Sequence, residues 1–124
     1  MFQFFKQLKT KKQIKEFKEK LEHGELIIIN KDNNDIDTLN LLIDCAEHHN
    51  LGIVVGSQMK ANAIKNMNEN IRIYRLAKNF TFEIKKADND CILIDESVDL
   101  EMIEWLKQQP NITICGGFIR KESE

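Results

Sequence analysis

Hydrophobic and polar positions along this chain switch repeatedly between two periods. Leu26-Ile27-Ile28-Ile29, Leu51 to Val55, Ile71 to Leu76, Cys91 to Asp95 and Ile112 to Cys115 are short, mostly apolar, β-branched runs. Runs of that kind suit strands covered on both faces, the usual case in parallel sheets. Between them the apolar residues recur at helical spacing. Phe4, Phe5, Leu8, Ile14, Phe17 and Leu21 predict a helix over 3–22, thinning around Lys9 to Gln13 and closed by His23-Gly24. Ile36, Leu39, Leu42, Ile43 and Ala46 mark a second helix, with Asp35 or Asp37 as N-cap and an end near Asn50. Gly56-Ser57 opens a third, with Met59, Ala63, Ile64 and Met67 inward. Leu100, Ile103 and Leu106 mark a fourth, which stops before Pro110. Over 77–90, Phe80, Phe82 and Ile84 alternate, predicting an edge strand or a lid. The last strand is expected to open out at Gly116-Gly117.

Alternating strands and helices with short connections predict an α/β fold, a three-layer sandwich around a mainly parallel five-stranded sheet. Residues 1–23 form a basic amphipathic helix added to an α/β core over 25–118, within a single domain spanning 1–124. At 124 residues such a domain buries a real core. Ligands of parallel sheets bind beyond the carboxyl ends of the strands. That edge would carry the 30–37 loop, Gly56-Ser57, Asp95-Glu96 and Gly116-Gly117.

Two segments set the chemistry. Ile92-Leu93-Ile94-Asp95-Glu96 is a buried strand delivering two acids at its carboxyl end. Asn30 to Asp37 is a loop between a buried strand and a helix. With Gly52-Ile53-Val54-Val55-Gly56-Ser57 between them, this order resembles the P-loop NTPase fold of the additional-strand class, as in a helicase lobe or a thymidine-kinase-like core. The resemblance covers about three quarters of the chain. It implies that Asp95 holds Mg²⁺ through water, that Glu96 polarises the attacking water, and that a sensor residue falls on the last strand.

The Walker A spacing is not met. Gly-x-x-x-x-Gly-Lys-Ser/Thr cradles phosphate with backbone N–H groups and an ammonium. Here Asn30 and Asp35 stand at the glycine positions, Ile36 at the lysine, and Asp37 at the hydroxyl, with Thr38 following. Asp32, Asp35 and Asp37 would meet a polyphosphate with like charge, each pair worth about 1 kcal/mol at about 4 Å in water. Three uses of the acid pair follow. Asp95 and Glu96 act as catalytic groups if the site is active; they cap the helix that begins near Asp99; or they join Asp32, Asp35 and Asp37 in an oxygen-rich cluster for Mg²⁺ or Mn²⁺. In that last case Asp95, Asp35 and Asp37 are the metal ligands and the chemistry is metal-assisted phosphodiester cleavage. With the phosphate loop degenerate, no cofactor is expected, and Mg²⁺ is the one candidate.

Charge and cysteine usage refine this reading. Seven lysines against two glutamates give residues 1–20 a local charge of about +5, although the whole chain is −2. A protein partner is expected, with nucleic acid an option through the lysine-rich helix and the membrane disfavoured. No apolar run approaches the roughly 20 residues of a membrane span, and no secretory leader is recognisable at the N-terminus. Cys45, Cys91 and Cys115 are too widely spaced for a disulfide framework or a zinc motif, so a reducing cytoplasm is expected. Cys91 and Cys115 read as small core residues, and His48-His49 as a helix-end pair with no third metal ligand at sensible spacing. Met102 and Trp105 fall off their helix's inward face, as a contact surface or as packing beneath the N-terminal helix.

The sequence therefore predicts a non-catalytic interaction or regulatory module. The Lys/Asn/Ile-rich composition resembles products of low-GC bacteria and their mobile elements. The alternatives are a divalent-metal-dependent phosphoester enzyme using the acidic edge, a nucleic-acid-associated accessory protein, and a binder of a neutral or cationic small ligand.

Overall fold

A computed structural model describes residues 2–77 and 81–121, with the side chains of 2–7 and 82 left aside. The side chains of Phe4, Phe5, Lys6 and Phe82, and the whole of Phe80, Glu122 and Glu124, fall outside that description. The elements are α1 (Phe2–Glu22), β1 (Leu26–Ile29), a 3₁₀ turn (Lys31–Asn33), α2 (Thr38–His49), β2 (Gly52–Val55) and α3 (Gln58–Met67). There follow β3 (Ile73–Arg75), α4 (Phe82–Lys86), β4 (Asp90–Ile94), α5 (Leu100–Lys107) and β5 (Ile112–Arg120). The five strands pair in the order β1-β5-β4-β2-β3. Every pairing is parallel, where the sequence predicted a mainly parallel sheet.

Strand alternation sends side chains to two cores. Ile27, Ile29, Ile53, Val55 and Leu93 meet Phe17 and Leu21 of α1, Leu42 and Ile43 of α2, and Ile64 of α3. Val54, Ile92 and Ile94 meet Ile84 of α4 and Ile103 and Leu106 of α5. Helices thus cover both faces of the sheet. α1 is one continuous helix with no break near Lys9 to Gln13. Its later turns pack inward through Ile14, Phe17 and Leu21, whereas Leu8, Lys9, Lys11 and Lys12 are exposed.

Four local expectations are corrected. Residues 82–86 form a helix, not an edge strand, because Ile84 buries against α5's side of the sheet from a helical turn. On α3 the inward stripe is Ala61 and Ile64, so Met59 and Met67 on the opposite row are exposed. Cys91 shares the face of Leu93 but sits near the amino end of β4, where it is exposed, and Cys115 is half-buried; Cys45 is the buried thiol. Met102 and Trp105 pack on the second core, away from α1.

β5 does not open out at Gly116-Gly117; it continues to Arg120. Ile92 pairs Ile114 but Ile94 pairs Gly117, so β5 carries one extra residue there, a β-bulge. A one-residue insertion exchanges the faces of everything after it. Ile112 and Ile114 face the second core, whereas Phe118, of the same parity, faces the first and rests its ring 5.7 Å from that of Phe17. Glycine is required: Gly117 has φ +147°, and a Cβ there would lie 2.3 Å from Ile94 O.

Candidate functional site at the carboxyl edge of the sheet

The bulge determines what reaches the carboxyl edge. Two residues beyond Phe118, Arg120 extends from β5 beside the turn that follows β4. Its Nη2 donates to Glu96 Oε1 at 2.8 Å, and its Nη1 lies 3.5 Å from Asn34 Oδ1. From the other side Thr38, the first residue of α2 and only 5% exposed, donates Oγ1–H to Glu96 Oε2 at 3.1 Å. Both oxygens of Glu96 therefore have partners, one of them cationic. Charge-assisted contacts of this kind fix a carboxylate in position.

Asp95 is fully buried. Its N–H donates to Val54 O at 2.9 Å, extending the β2–β4 ladder past the last strand residue. Its Oδ2 accepts from the Ser97 N–H at 3.0 Å and the Ser97 hydroxyl at 2.5 Å, closing a tight turn of the type that short acidic side chains favour. The Ser97 hydroxyl oxygen accepts in turn from the Gly56 N–H at 2.8 Å. Gly56 is needed for that approach, since a Cβ there would lie 2.0 Å from Ser97 O. Asp95 Oδ1 is buried without a hydrogen-bond partner among the described residues, an uncommon state for a polar atom.

The 30–37 loop is closed on itself. Asn30 Oδ1 accepts from the Asp32 N–H at 2.8 Å, and Asn33 Oδ1 accepts from the Asn30 N–H at 3.1 Å, a reciprocal capping box around the 3₁₀ turn. Ile36, at the lysine position of a phosphate loop, is 7% exposed and belongs to the core. Of the two candidate caps, Asp37 is the one used: its side chain accepts from the Asn40 N–H at 3.1 Å. Asp32 and Asp35 are exposed on the loop.

The candidate metal ligands Asp95, Asp35 and Asp37 do not form a trio. Among the described residues the one group of three ligating atoms within 4.8 Å of one another is Glu22, Cys45 and His49, at a different place. Helix capping by the acid pair is also not the arrangement found: Asp99 is the N-cap of α5, without a side-chain cap bond, and Asp95 holds the turn before it. Comparison with family models, curated proteins and solved structures gives no match.

Sequence reasoning found Asp95 and Glu96 and missed Arg120, whose reach depends on the bulge. It also missed the opposite edge. There Arg72 forms a bidentate pair with Asp90, both contacts at 2.8 Å, and the Tyr74 hydroxyl donates to Asp90 Oδ2 at 2.6 Å. Burial pushes the Asp90 carboxyl up, but hydrogen bonds from Arg72 and Tyr74 outweigh it and hold Asp90 below the ordinary value. Burial and the bond to Asp90 push Tyr74 up to about 12. Arg72 also donates to Asn50 Oδ1 at 3.0 Å and to Asn50 O at 2.9 Å, tying the end of α2 to the strands. An arginine spaced 18 residues from its acid has no motif by which to find it.

Proposed function

We propose that this protein is a non-catalytic interaction or regulatory module on a P-loop-like α/β core whose phosphate loop has been lost. The single observation that carries this reading is the engagement of Glu96 by Arg120 and Thr38. Each oxygen of Glu96 already holds a protein donor, one of them a guanidinium, and a carboxylate neutralised in this way is a weaker base for polarising water. The closed 30–37 loop supports the same conclusion, since its caps occupy N–H groups at Asn30 and Asp32 that a phosphate would use. The relation to the additional-strand class draws support from β5 lying between β1 and β4, with the acids at the end of β4. The exposed lysines and Leu8 on the first turns of α1 are the surface on which a protein partner would dock.

The test is a thermal-shift titration with ATP, GTP, Mg²⁺ and Mn²⁺, alone and combined, followed by a phosphate-release assay. A native-state ligand raises the midpoint by mass action. The reading expects no nucleotide-dependent shift and no phosphate release; a saturable shift with Mg²⁺ and ATP refutes it.

A second reading is favoured by Asp95 Oδ1, which is buried and has no partner among the described residues, and by the presence of an arginine at the same edge. A divalent ion at that oxygen would give the metal-dependent phosphoester enzyme. Its signature is a midpoint shift with Mn²⁺ that disappears in Asp95→Asn.

A further inference from the structure

The last residue of α1 meets the last turns of α2 at the far end of the molecule from Arg120. Cys45 and His49 are four residues apart on α2 and so share one face, the i, i+4 spacing by which a helix presents two ligands to one ion. Glu22 arrives from α1. Its Oε2 lies 2.6 Å from His49 Nε2, and the ligating atoms of all three residues lie within 4.8 Å of one another. A surface ion pair would need only Glu22 and His49. The buried sulfur within reach of both is the additional feature.

We propose that Glu22, Cys45 and His49 bind a thiophilic divalent cation, zinc by the chemistry of its donors, with the fourth position left to water. A thiolate, an imidazole and a carboxylate together select zinc over the hard cations, which take all-oxygen sets. Bond lengths of about 2.0–2.3 Å place the ligand atoms of a tetrahedral ion roughly 3.3–3.6 Å apart. Reaching that spacing requires the Glu22–His49 contact to open by about 1 Å and any separation near the 4.8 Å bound to close by about 1.2–1.5 Å, movements open to two side chains about 40% exposed. The frame behind them is firm. Leu21 is buried beneath Glu22, Lys18 pairs with Asp44 at 3.3 Å one turn back, and Arg72 holds Asn50 at the end of α2.

Glu22 supplies a carboxylate oxygen beside the sulfur, and a dication held there would stabilise the Cys45 thiolate. Binding removes one proton from Cys45 to solvent and uses neutral His49 through Nε2, with the proton on Nδ1. The ion replaces the Glu22–His49 hydrogen bond with a link between α1 and α2, so that docking of α1 becomes metal-dependent. The sequence hid this site because Glu22 lies in a different helix from the other two ligands.

The full chain, stripped with a chelator, is titrated with Zn²⁺ or Co²⁺ at neutral pH. The expected result is one ion per chain, release of about one proton per ion, and a sulfur-to-cobalt charge-transfer band. Cys45→Ala, which keeps a small apolar group in the core, removes that band. His49→Gln and Glu22→Gln, both surface changes, weaken zinc by at least about tenfold in competition with a chromophoric chelator, as loss of a ligand requires. His48→Gln leaves affinity unchanged. Absence of stoichiometric binding, a cobalt complex without the thiolate band, or equal losses in His48→Gln and His49→Gln would each overturn the proposal.

Discussion

Replacing Gly117 by alanine places a methyl group where β4 and β5 come closest. The added Cβ would stand 2.3 Å from Ile94 O, 2.6 Å from Ile94 N and 2.9 Å from Ile94 Cα. All three are backbone atoms of the central strand, so no side chain can turn aside. Carbon–oxygen contacts relax near 3.3 Å or beyond, so the strands must part by about 1 Å at this point. Alanine at φ +147° adds backbone strain of about 1–3 kcal/mol. Weakening one or two ladder hydrogen bonds adds about 1 kcal/mol each. The expected loss is about 2–5 kcal/mol, a large share of the roughly 5–15 kcal/mol that holds a domain of this kind together. Urea unfolding followed by circular dichroism reads it as a lowered midpoint at unchanged slope. Gly116→Ala is the internal comparison: its Cβ meets Glu25 O at 2.9 Å, a milder conflict, at φ +130°. A Gly117→Ala protein within about 1 kcal/mol of the parent would refute the account of the bulge.

Glu96→Gln should destabilise by about 1–2 kcal/mol, because it weakens the bonds from Arg120 and Thr38; a stabilising effect would instead mark Glu96 as a strained functional acid. Combining it with Arg120→Leu should cost less than the sum of the two, as a double-mutant cycle measures. Asp90→Asn should cost about 1.5–3 kcal/mol at neutral pH, measured by urea unfolding. Since Asp90 is held below the unfolded value of about 3.9, its contribution is present above that pH and fades as pH falls through the folded value; the gap between parent and variant should begin to narrow below about pH 4 and close only below the folded value. Leu42→Ala, at a fully buried position, should cost about 2–5 kcal/mol, whereas Ile28→Thr, 67% exposed, should change stability by less than about 0.5 kcal/mol in the same assay.

The strands were legible because five short β-branched runs have few other uses, and all five fall in the sheet. Strand order was not, since pairing partners such as Leu26 and Gly117 leave no local trace. The end of β5 was misread for a definite reason. Two consecutive glycines punctuate most chains, but here they let one strand slip past another and continue. That single slip also hid Arg120, because counting alternate residues from Ile112 sends it to the wrong face. α4 was misread because a helix of five residues is too short to show helical spacing, and Ile84 is the buried residue among its described side chains. On α3 two apolar rows competed, and the methionine row lost to Ala61 and Ile64. At the site, the acids were legible as a pattern at a strand end. Their partners come from distant elements and were visible only once those elements met.

The placement of β1 has a consequence for how the chain folds. Among the described residues β1 pairs with β5 alone, the last of the five strands in chain order, with Leu26 opposite Gly117 and Ile29 opposite Arg120. At synthesis rates of about 5–20 residues per second, β1 waits roughly 5–20 s for its partner. Meanwhile β2, β3 and β4 already hold one another's edges and can assemble without it. β1 is therefore the last of the five strands to be paired, with its hydrogen-bonding edges open throughout that interval. The lysines crowding α1 just ahead of it act as gatekeepers, keeping an unpaired Leu26–Ile29 from finding another chain first.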